Sequence, residues 1–130
     1  MPDKRLYDTR FFFDYFYSNN PEITKKLKQE AESTREKLVS VLTIHELHHL
    51  SMRRSGKEVA ALRSHTILTE FKVVDVNYAI ALQSAELRST RKMPMADSII
   101  AATAQFYGCT LISDDPHFQG ISNLKTKWCY

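Results

Sequence analysis

The sequence predicts an α/β protein, a three-layer α/β/α sandwich around a central parallel sheet of four to five strands. Short apolar segments alternate along the chain with longer amphipathic segments, as they do where crossover helices join parallel strands. Three glycines and four prolines in 130 residues leave little of the chain for long loops. No repeat or linker interrupts the pattern, so we expect residues 1–130 to form a single domain.

The first half of the chain begins with a short strand over residues 5–7 and a helix dense in aromatic residues over 10–18. A charged amphipathic helix follows, with Asn20 as N-cap and Pro21 as the first helical residue, and it extends to about Ser33. A β-branched, apolar second strand is expected over 38–42.

The next helix is predicted from a capping box, in which the hydroxyl of Thr43 caps the helix and Glu46 follows three residues later. The helix is expected to extend to Arg54, with Gly56 as its C-terminal stop. A further helix over 57–70 leads to a third strand over 71–74.

The second half continues with helices over 77–91 and 94–107, a fourth strand over 110–113 and a short fifth strand over 125–129. The longest uncharged stretch, residues 98–113, is shorter than the ~20 residues that a bilayer requires. We therefore interpret it as a buried helix followed by a buried strand.

The composition, 43% hydrophobic and 25% charged, excludes a disordered tail, a collagen-like fibre and a coiled coil. A net charge of +3 permits nucleic-acid binding without requiring it. Cys109 and Cys129 are too few for a disulfide scaffold and lack the spacing of a zinc ribbon. The first residues are charged where a signal peptide would be apolar, so we expect a cytoplasmic protein.

Acidic residues follow several of the predicted strands. Asp8 ends the first strand, Glu46 and Asp97 lie in the first turns of helices, and Asp114 and Asp115 follow the fourth strand. The carboxyl ends of parallel strands share one edge of the sheet, where ligands of open α/β sheets bind.

Each acid taken alone has a structural explanation as a helix cap or a turn residue. Those explanations do not account for four acids at one sheet edge, where like charges repel unless a cation joins them. Hard carboxylate oxygens without cysteine select Mg²⁺ or Mn²⁺.

At these residues the chain resembles the PIN-domain ribonucleases, most closely the small VapC-type toxins, over nearly its whole length. The resemblance rests on four segments in order: Leu6-Tyr7-Asp8-Thr9, Thr43-Ile44-His45-Glu46-Leu47, Ala96-Asp97-Ser98-Ile99-Ile100-Ala101-Ala102, and Leu111-Ile112-Ser113-Asp114-Asp115-Pro116-His117-Phe118. It implies a single PIN domain and a metal-dependent endoribonuclease with catalytic and metal-binding acids at Asp8, Glu46, Asp97 and Asp115.

Further expectations follow from this resemblance. Thr9 and Ser113 match positions that usually carry a supporting hydroxyl, while Asp114 stands at a variable position. Arg10 replaces a small polar residue and could bind a phosphate or brace an acid. RNA would approach over basic residues, for which the candidates are Arg53, Arg54 and Lys57 in one cluster and Arg88, Arg91 and Lys92 in another; ordinary solvated helix faces explain these clusters equally well.

A different chemistry is suggested by His45-Glu46-Leu47-His48-His49, which contains the H-E-x-x-H pattern of zinc peptidases. His45 and His49 would bind zinc, Glu46 would act as general base, and Glu70 could supply a third ligand. This hypothesis leaves Asp8, Asp97 and Asp115 unexplained.

Two further alternatives stay open, a PIN-like module that only binds RNA or protein, and a nuclease of RNA processing without an antitoxin. The aromatic residues between Tyr7 and Tyr17 are too many for one helix face to bury, which predicts a partner surface there. The resemblance offers a second copy of the chain, as a homodimer, and a VapB-like antitoxin as candidates.

Overall fold

A computed structural model describes residues 3–130. Helices and strands alternate as the sequence predicts, and the elements in chain order are β1 (Lys4–Tyr7), α1 (Thr9–Tyr17), α2 (Pro21–Ser33), β2 (Glu36–Ser40), α3 (Val41–Ser55), α4 (Lys57–Glu70), β3 (Lys72–Val74), α5 (Tyr78–Arg91), α6 (Met95–Tyr107), β4 (Thr110–Ile112) and β5 (Lys125–Lys127). A short 3₁₀ turn at Pro116–Phe118 lies between β4 and β5.

The five strands form one parallel sheet in the order β3-β2-β1-β4-β5. The chain builds the sheet outward from β1 in one direction through β3, and then returns to add β4 on the other side of β1. The order therefore reverses between β1 and β4, and such a switch point opens a crevice at the carboxyl ends of the two strands.

Helices cover both faces of the sheet, which confirms the three-layer prediction. Neighbouring strand residues point to opposite faces. Leu6 packs in the cluster beneath α5 and α6, and Tyr7 packs in the cluster beneath α1 to α4. Leu111 and Ile112 of β4 divide between the two clusters in the same way.

The predicted start of α3 is wrong by several residues. The strand β2 ends at Ser40, whose side chain accepts a hydrogen bond from the amide of Leu42 and caps the helix. Thr43 is buried inside the helix, and its hydroxyl has no partner among the described residues. The capping box is therefore absent, and Glu46 lies in the second turn of α3, not in the first.

The six aromatic side chains of α1 are all buried or half-buried, so they do not form the exposed apolar patch on which the predicted partner surface was based. Phe11 and Phe12 lie in the core, and Tyr15 and Phe16 pack against it. Arginines of α3 and α4 cover the rest: the guanidinium of Arg54 lies over the rings of Phe13 and Tyr17, and that of Arg63 over the rings of Phe16 and Tyr17. Side chains of α3 and α4 thus cover aromatic rings of α1 that a single helix face could not bury.

In the part of the chain that the structure covers, residues 3–130, no helix has both the length and the apolar character needed to cross a membrane.

Candidate metal-dependent active site

Asp8 follows β1 directly at the switch point of the sheet. Tyr7 pairs with Ile112 of β4, so the next residues along the two strands, Asp8 and Ser113, lie side by side. The carboxylate of Asp8 accepts hydrogen bonds from the hydroxyl of Ser113 at 2.9 Å and from the amide of Thr9 at 2.8 Å. These donors fix the orientation of the carboxylate.

The surroundings of Asp8 raise the pKa of its carboxyl group. Burial, as the largest cause, and the charges of Asp97 and Glu46 together raise the pKa of this carboxyl to about 6, against the two hydrogen bonds, which lower it. The carboxylates of Asp8, Glu46 and Asp97 therefore interact electrostatically, although Glu46 lies on α3 and Asp97 on α6.

Glu46 is brought to the site by α3. Its Oε1 accepts a hydrogen bond of 2.9 Å from the hydroxyl of Thr9, the residue that follows Asp8. The two hydroxyls that the sequence singled out, Thr9 and Ser113, thus each donate to a different acid, and both acids are oriented from the ends of β1 and β4.

Asp97 lies in the first turn of α6, whose N-terminus is at the same sheet edge, and Asp115 caps the 3₁₀ turn after β4. Burial and the charge of Asp115 raise the pKa of Asp97. The imidazole Nδ1 of His117 lies 2.7 Å from Asp97 and 3.2 Å from Asp115. Within residues 3–130, the three side chains of Asp97, Asp115 and His117 form the one group of three ligand-type residues whose ligand atoms all lie within 4.8 Å of one another.

His117 belongs to the segment after β4 that carries the family resemblance, but the sequence pattern assigns it no role. The sequence feature that could have identified it as a site residue is its position two residues after Asp115, on a turn that begins with Pro116. Only the packing of α6 against this turn brings Asp97 to the imidazole.

Asp114 faces Arg10 at the rim of the site. The guanidinium of Arg10 lies 3.3 Å from Asp114 and 3.4 Å from Asp14, and it also lies over the ring of Trp128. Of the two predicted roles for Arg10, the structure shows bracing of acids.

The other predicted RNA-binding residues occupy different environments. Arg53, Lys57 and Lys92 are exposed, and Arg53 lies seven residues beyond Glu46, roughly 10 Å along the axis of α3. Arg54 covers aromatic rings of α1. Arg91 donates to the carbonyl oxygens of Gln119 and Gly120 and so fastens the loop after the 3₁₀ turn, a structural contact.

The residues of the alternative zinc site do not assemble. His45 and His49 are exposed on α3, and Glu46 points to Thr9. Among residues 3–130, neither histidine belongs to a group of three ligand-type side chains with Glu70 or any other residue. His48 instead bonds Ser64 of α4 at 2.7 Å.

Comparisons with known proteins agree with this geometry. The sequence model of the PIN domain family matches residues 5–124. Ribonuclease VapC4 from Mycobacterium tuberculosis is 31% identical over 94 residues, which cover 67% of this chain and 72% of the relative.

Solved structures share the fold across almost the whole chain. A toxin-antitoxin complex from Klebsiella pneumoniae contains a chain with a TM-score of 0.78 and 26% identity, and 98% of each chain is covered. A DNA-bound VapBC from Salmonella typhimurium has a TM-score of 0.80 at 16% identity, with 98% of this chain and 99% of that chain covered; at this identity the likeness concerns the fold alone.

Proposed function

Because this chain belongs to the PIN-domain family and is a VapC-like ribonuclease, we propose that it hydrolyses phosphodiester bonds of single-stranded RNA with Mg²⁺ or Mn²⁺ bound by its acids. The supporting observation is the gathering of Asp8, Glu46, Asp97 and Asp115 at the switch point of the sheet. The charges of Asp97 and Glu46 raise the pKa of Asp8, and the charge of Asp115 raises that of Asp97, so a cation would relieve this repulsion, and the donor set suits a hard divalent ion. The residues present therefore fit the metal that the family implies.

We assign the catalytic and metal-binding roles to these four acids. A divalent ion bound there lowers the pKa of water and offsets negative charge on the phosphate. Ser113 and the amide of Thr9 keep the oxygens of Asp8 directed into the crevice, and the hydroxyl of Thr9 does the same for Glu46. Arg10 keeps Asp114 at the rim, where it supports the site.

RNA would approach the crevice over exposed basic residues. Arg53, Lys57 and Lys92 suit this role because they are exposed, whereas Arg54 and Arg91 already make contacts within the chain. Arg10 lies beside the acids, where its Nε pairs with Asp14 and its Nη1 with Asp114, and the rest of its half-exposed guanidinium is available to a phosphate. Contacts of this type are electrostatic, so binding should weaken as salt rises.

The test is cleavage of a labelled single-stranded RNA by the purified chain. We expect cleavage with Mn²⁺ or Mg²⁺, none in EDTA, and a loss of at least about a hundredfold in Asp8→Asn, Glu46→Gln and Asp97→Asn. Glu86→Gln, at an exposed position of α5, is the matched control and should cleave like the wild type. Full activity in Asp97→Asn would contradict the assignment.

We further propose that residues 1–130 form a single PIN domain, that the protein is cytoplasmic, and that a VapB-like antitoxin binds it. The family match over residues 5–124 and the toxin-antitoxin structures of the same fold support these proposals. The thiols of Cys109 and Cys129 are free, as in a reducing compartment. Co-purification with the product of an adjacent small reading frame tests the antitoxin.

We also propose a homodimer, and we place its surface on the outer face of α5. Tyr78 and Leu82 are 79% and 55% exposed, and their i, i+4 spacing puts them on one helix face. Phe106 of α6 is 50% exposed. Sedimentation of the wild type should show a dimer, and Leu82→Glu should shift it toward the 15.1 kDa monomer.

A further inference from the structure

The imidazole of His117 lies where two acids of the site come together. Nδ1 is 2.7 Å from Oδ2 of Asp97 and 3.2 Å from Oδ1 of Asp115. Ligand atoms around one octahedral ion of this class stand roughly 3 Å apart when adjacent and roughly 4 Å apart when opposite. These two distances, and a separation below 4.8 Å among all three ligand atoms, fit side chains that could bind a common ion.

The local backbone holds His117 in this place. The carboxylate of Asp115 accepts a hydrogen bond of 2.9 Å from the amide of His117, which caps the 3₁₀ turn. Pro116 restricts the first position of the turn, and Phe118 is buried in the core directly after it. The side chain of His117 is 54% exposed, so core packing does not explain its orientation.

The hydrogen bonds of the imidazole ring do not by themselves explain why a histidine stands at this position. Asp97 and Asp115 belong to the proposed metal site, and a hydrogen bond from Nδ1 can serve only one of them well at a time. An imidazole nitrogen is also a good ligand for transition-metal ions, whereas Mg²⁺ prefers oxygen and retains its waters. A nitrogen donor beside two carboxylates changes which ion the site prefers.

We propose, on the basis of the nuclease function above, that His117 is a nitrogen ligand of the ion bound by Asp97 and Asp115 and makes the site prefer Mn²⁺ to Mg²⁺. His117 is then a specificity-determining residue for the metal. When no ion is bound, the same nitrogen donates to Asp97 and reduces the repulsion between the two carboxylates.

Electron spin echo spectroscopy of the full chain loaded with Mn²⁺ tests the bond directly, because a coordinated ¹⁴N modulates the echo. We expect this modulation in the wild type and its loss in His117→Gln and His117→Ala. The matched control is His45→Gln, an exposed histidine next to Glu46, which should keep the modulation. Wild-type Mn²⁺ without nitrogen modulation, or modulation lost only in the control, would overturn the proposal.

The second measurement is calorimetric titration of wild type and His117→Gln with Mn²⁺ and with Mg²⁺. We expect the ratio of Mn²⁺ to Mg²⁺ affinity to fall by roughly tenfold in the variant. An equal loss of affinity for both ions would mean that His117 only positions Asp97, and would overturn its role in metal specificity.

The two proposals fail in different ways. Metal-dependent RNA cleavage together with Mn²⁺ bound only through oxygen would overturn the role of His117 and leave the nuclease function intact. A chain that neither binds Mn²⁺ nor cleaves RNA would overturn both.

Discussion

The hydroxyl of Ser113 donates a 2.9 Å hydrogen bond to Asp8 across the two strands between which the sheet order reverses. The contact depends on the register of β1 and β4, in which Tyr7 is opposite Ile112, and the amide of Asp8 also donates to the carbonyl of Ile112. A one-residue slip of either strand would direct its side chain to the other face and break this contact. The sheet register therefore orients the first acid of the site.

Ser113→Ala should weaken metal binding and RNA cleavage by about 10- to 100-fold, the usual effect of losing a group that orients a ligand. The hydrogen bond lowers the pKa of Asp8, so its removal also makes the carboxylate harder to ionise. Calorimetry with Mn²⁺ and an RNA cleavage assay measure the two effects. Ser89→Ala, at an exposed position of α5, is the control, and equal metal affinity in both variants would contradict the role.

The metal-free protein should become more stable as pH falls from 7.5 to about 5. Because burial raises the pKa of Asp8 from 3.8 to about 6, the native state takes up a proton at a higher pH than the unfolded state does. The associated stability is fully present below pH 4 and is lost as pH rises through 6, by about 3 kcal/mol for this difference in pKa. The raised pKa of Asp97 acts with the same sign.

Urea unfolding in EDTA at several pH values measures this dependence. Asp8→Asn should be more stable than the wild type at pH 7.5 and should show a flatter pH profile. Parallel profiles of the two proteins would mean that Asp8 does not titrate as its burial requires.

Bound metal should stabilise the wild type by mass action, by about 2.7 kcal/mol at a hundredfold excess over its dissociation constant. Asp97→Asn should gain much less, because it has lost a ligand. Thermal melts at neutral pH with and without Mn²⁺ measure both gains, and Glu86→Gln should behave as the wild type. Equal gains in wild type and Asp97→Asn would place Asp97 outside the metal site.

Glu30→Gln should destabilise the fold by about 3 kcal/mol, since it leaves the guanidinium of Arg5 without its buried partner. Glu30 also accepts hydrogen bonds from Tyr7 and Thr34 and so ties α2 to β1. The control is Glu36→Gln, whose 3.8 Å pair with Lys4 is solvent-exposed and should be worth less than about 1 kcal/mol. Urea unfolding at pH 7 compares the free energies of unfolding of the two variants. Equal losses would contradict the larger contribution expected of the buried pair.

His45→Ala should leave RNA cleavage within about tenfold of the wild type, roughly 1.4 kcal/mol of barrier. The residue is exposed and contributes to no group of three ligand-type side chains among the described residues. Metal analysis of the purified protein provides a second check. Stoichiometric zinc that disappears with His45→Ala would instead support the peptidase hypothesis.

The positions of Asp8, Asp97 and Asp115 could be predicted from the sequence because they depend on local rules. Apolar, β-branched segments identify strands, a proline followed by an apolar-periodic segment identifies the start of a helix, and parallel strands end at one edge. The ends of the strands placed Asp8 and Asp115 at that edge, and the start of the late helix placed Asp97 there, before any contact was known.

Glu46 is predicted as a site residue partly from a capping box that the structure does not contain. Thr43 and Glu46 have the spacing of a capping box, but Ser40 also has a capping hydroxyl, and the sheet pairing that ends β2 at Ser40 decides between them. Sequence spacing cannot distinguish two such hydroxyls, because strand length is set by the neighbouring strands.

The order of the elements, the parallel sheet and the edge at which the acids meet can be derived from the amino-acid sequence, since they follow from local propensity and periodicity. The partners of the individual side chains depend on the tertiary packing. Arg54 covers an aromatic ring of α1, Arg10 braces Asp114, and His117 meets Asp97. Each of these contacts joins residues at least 20 positions apart, and their distance is fixed by the packing of whole helices, which no local pattern encodes.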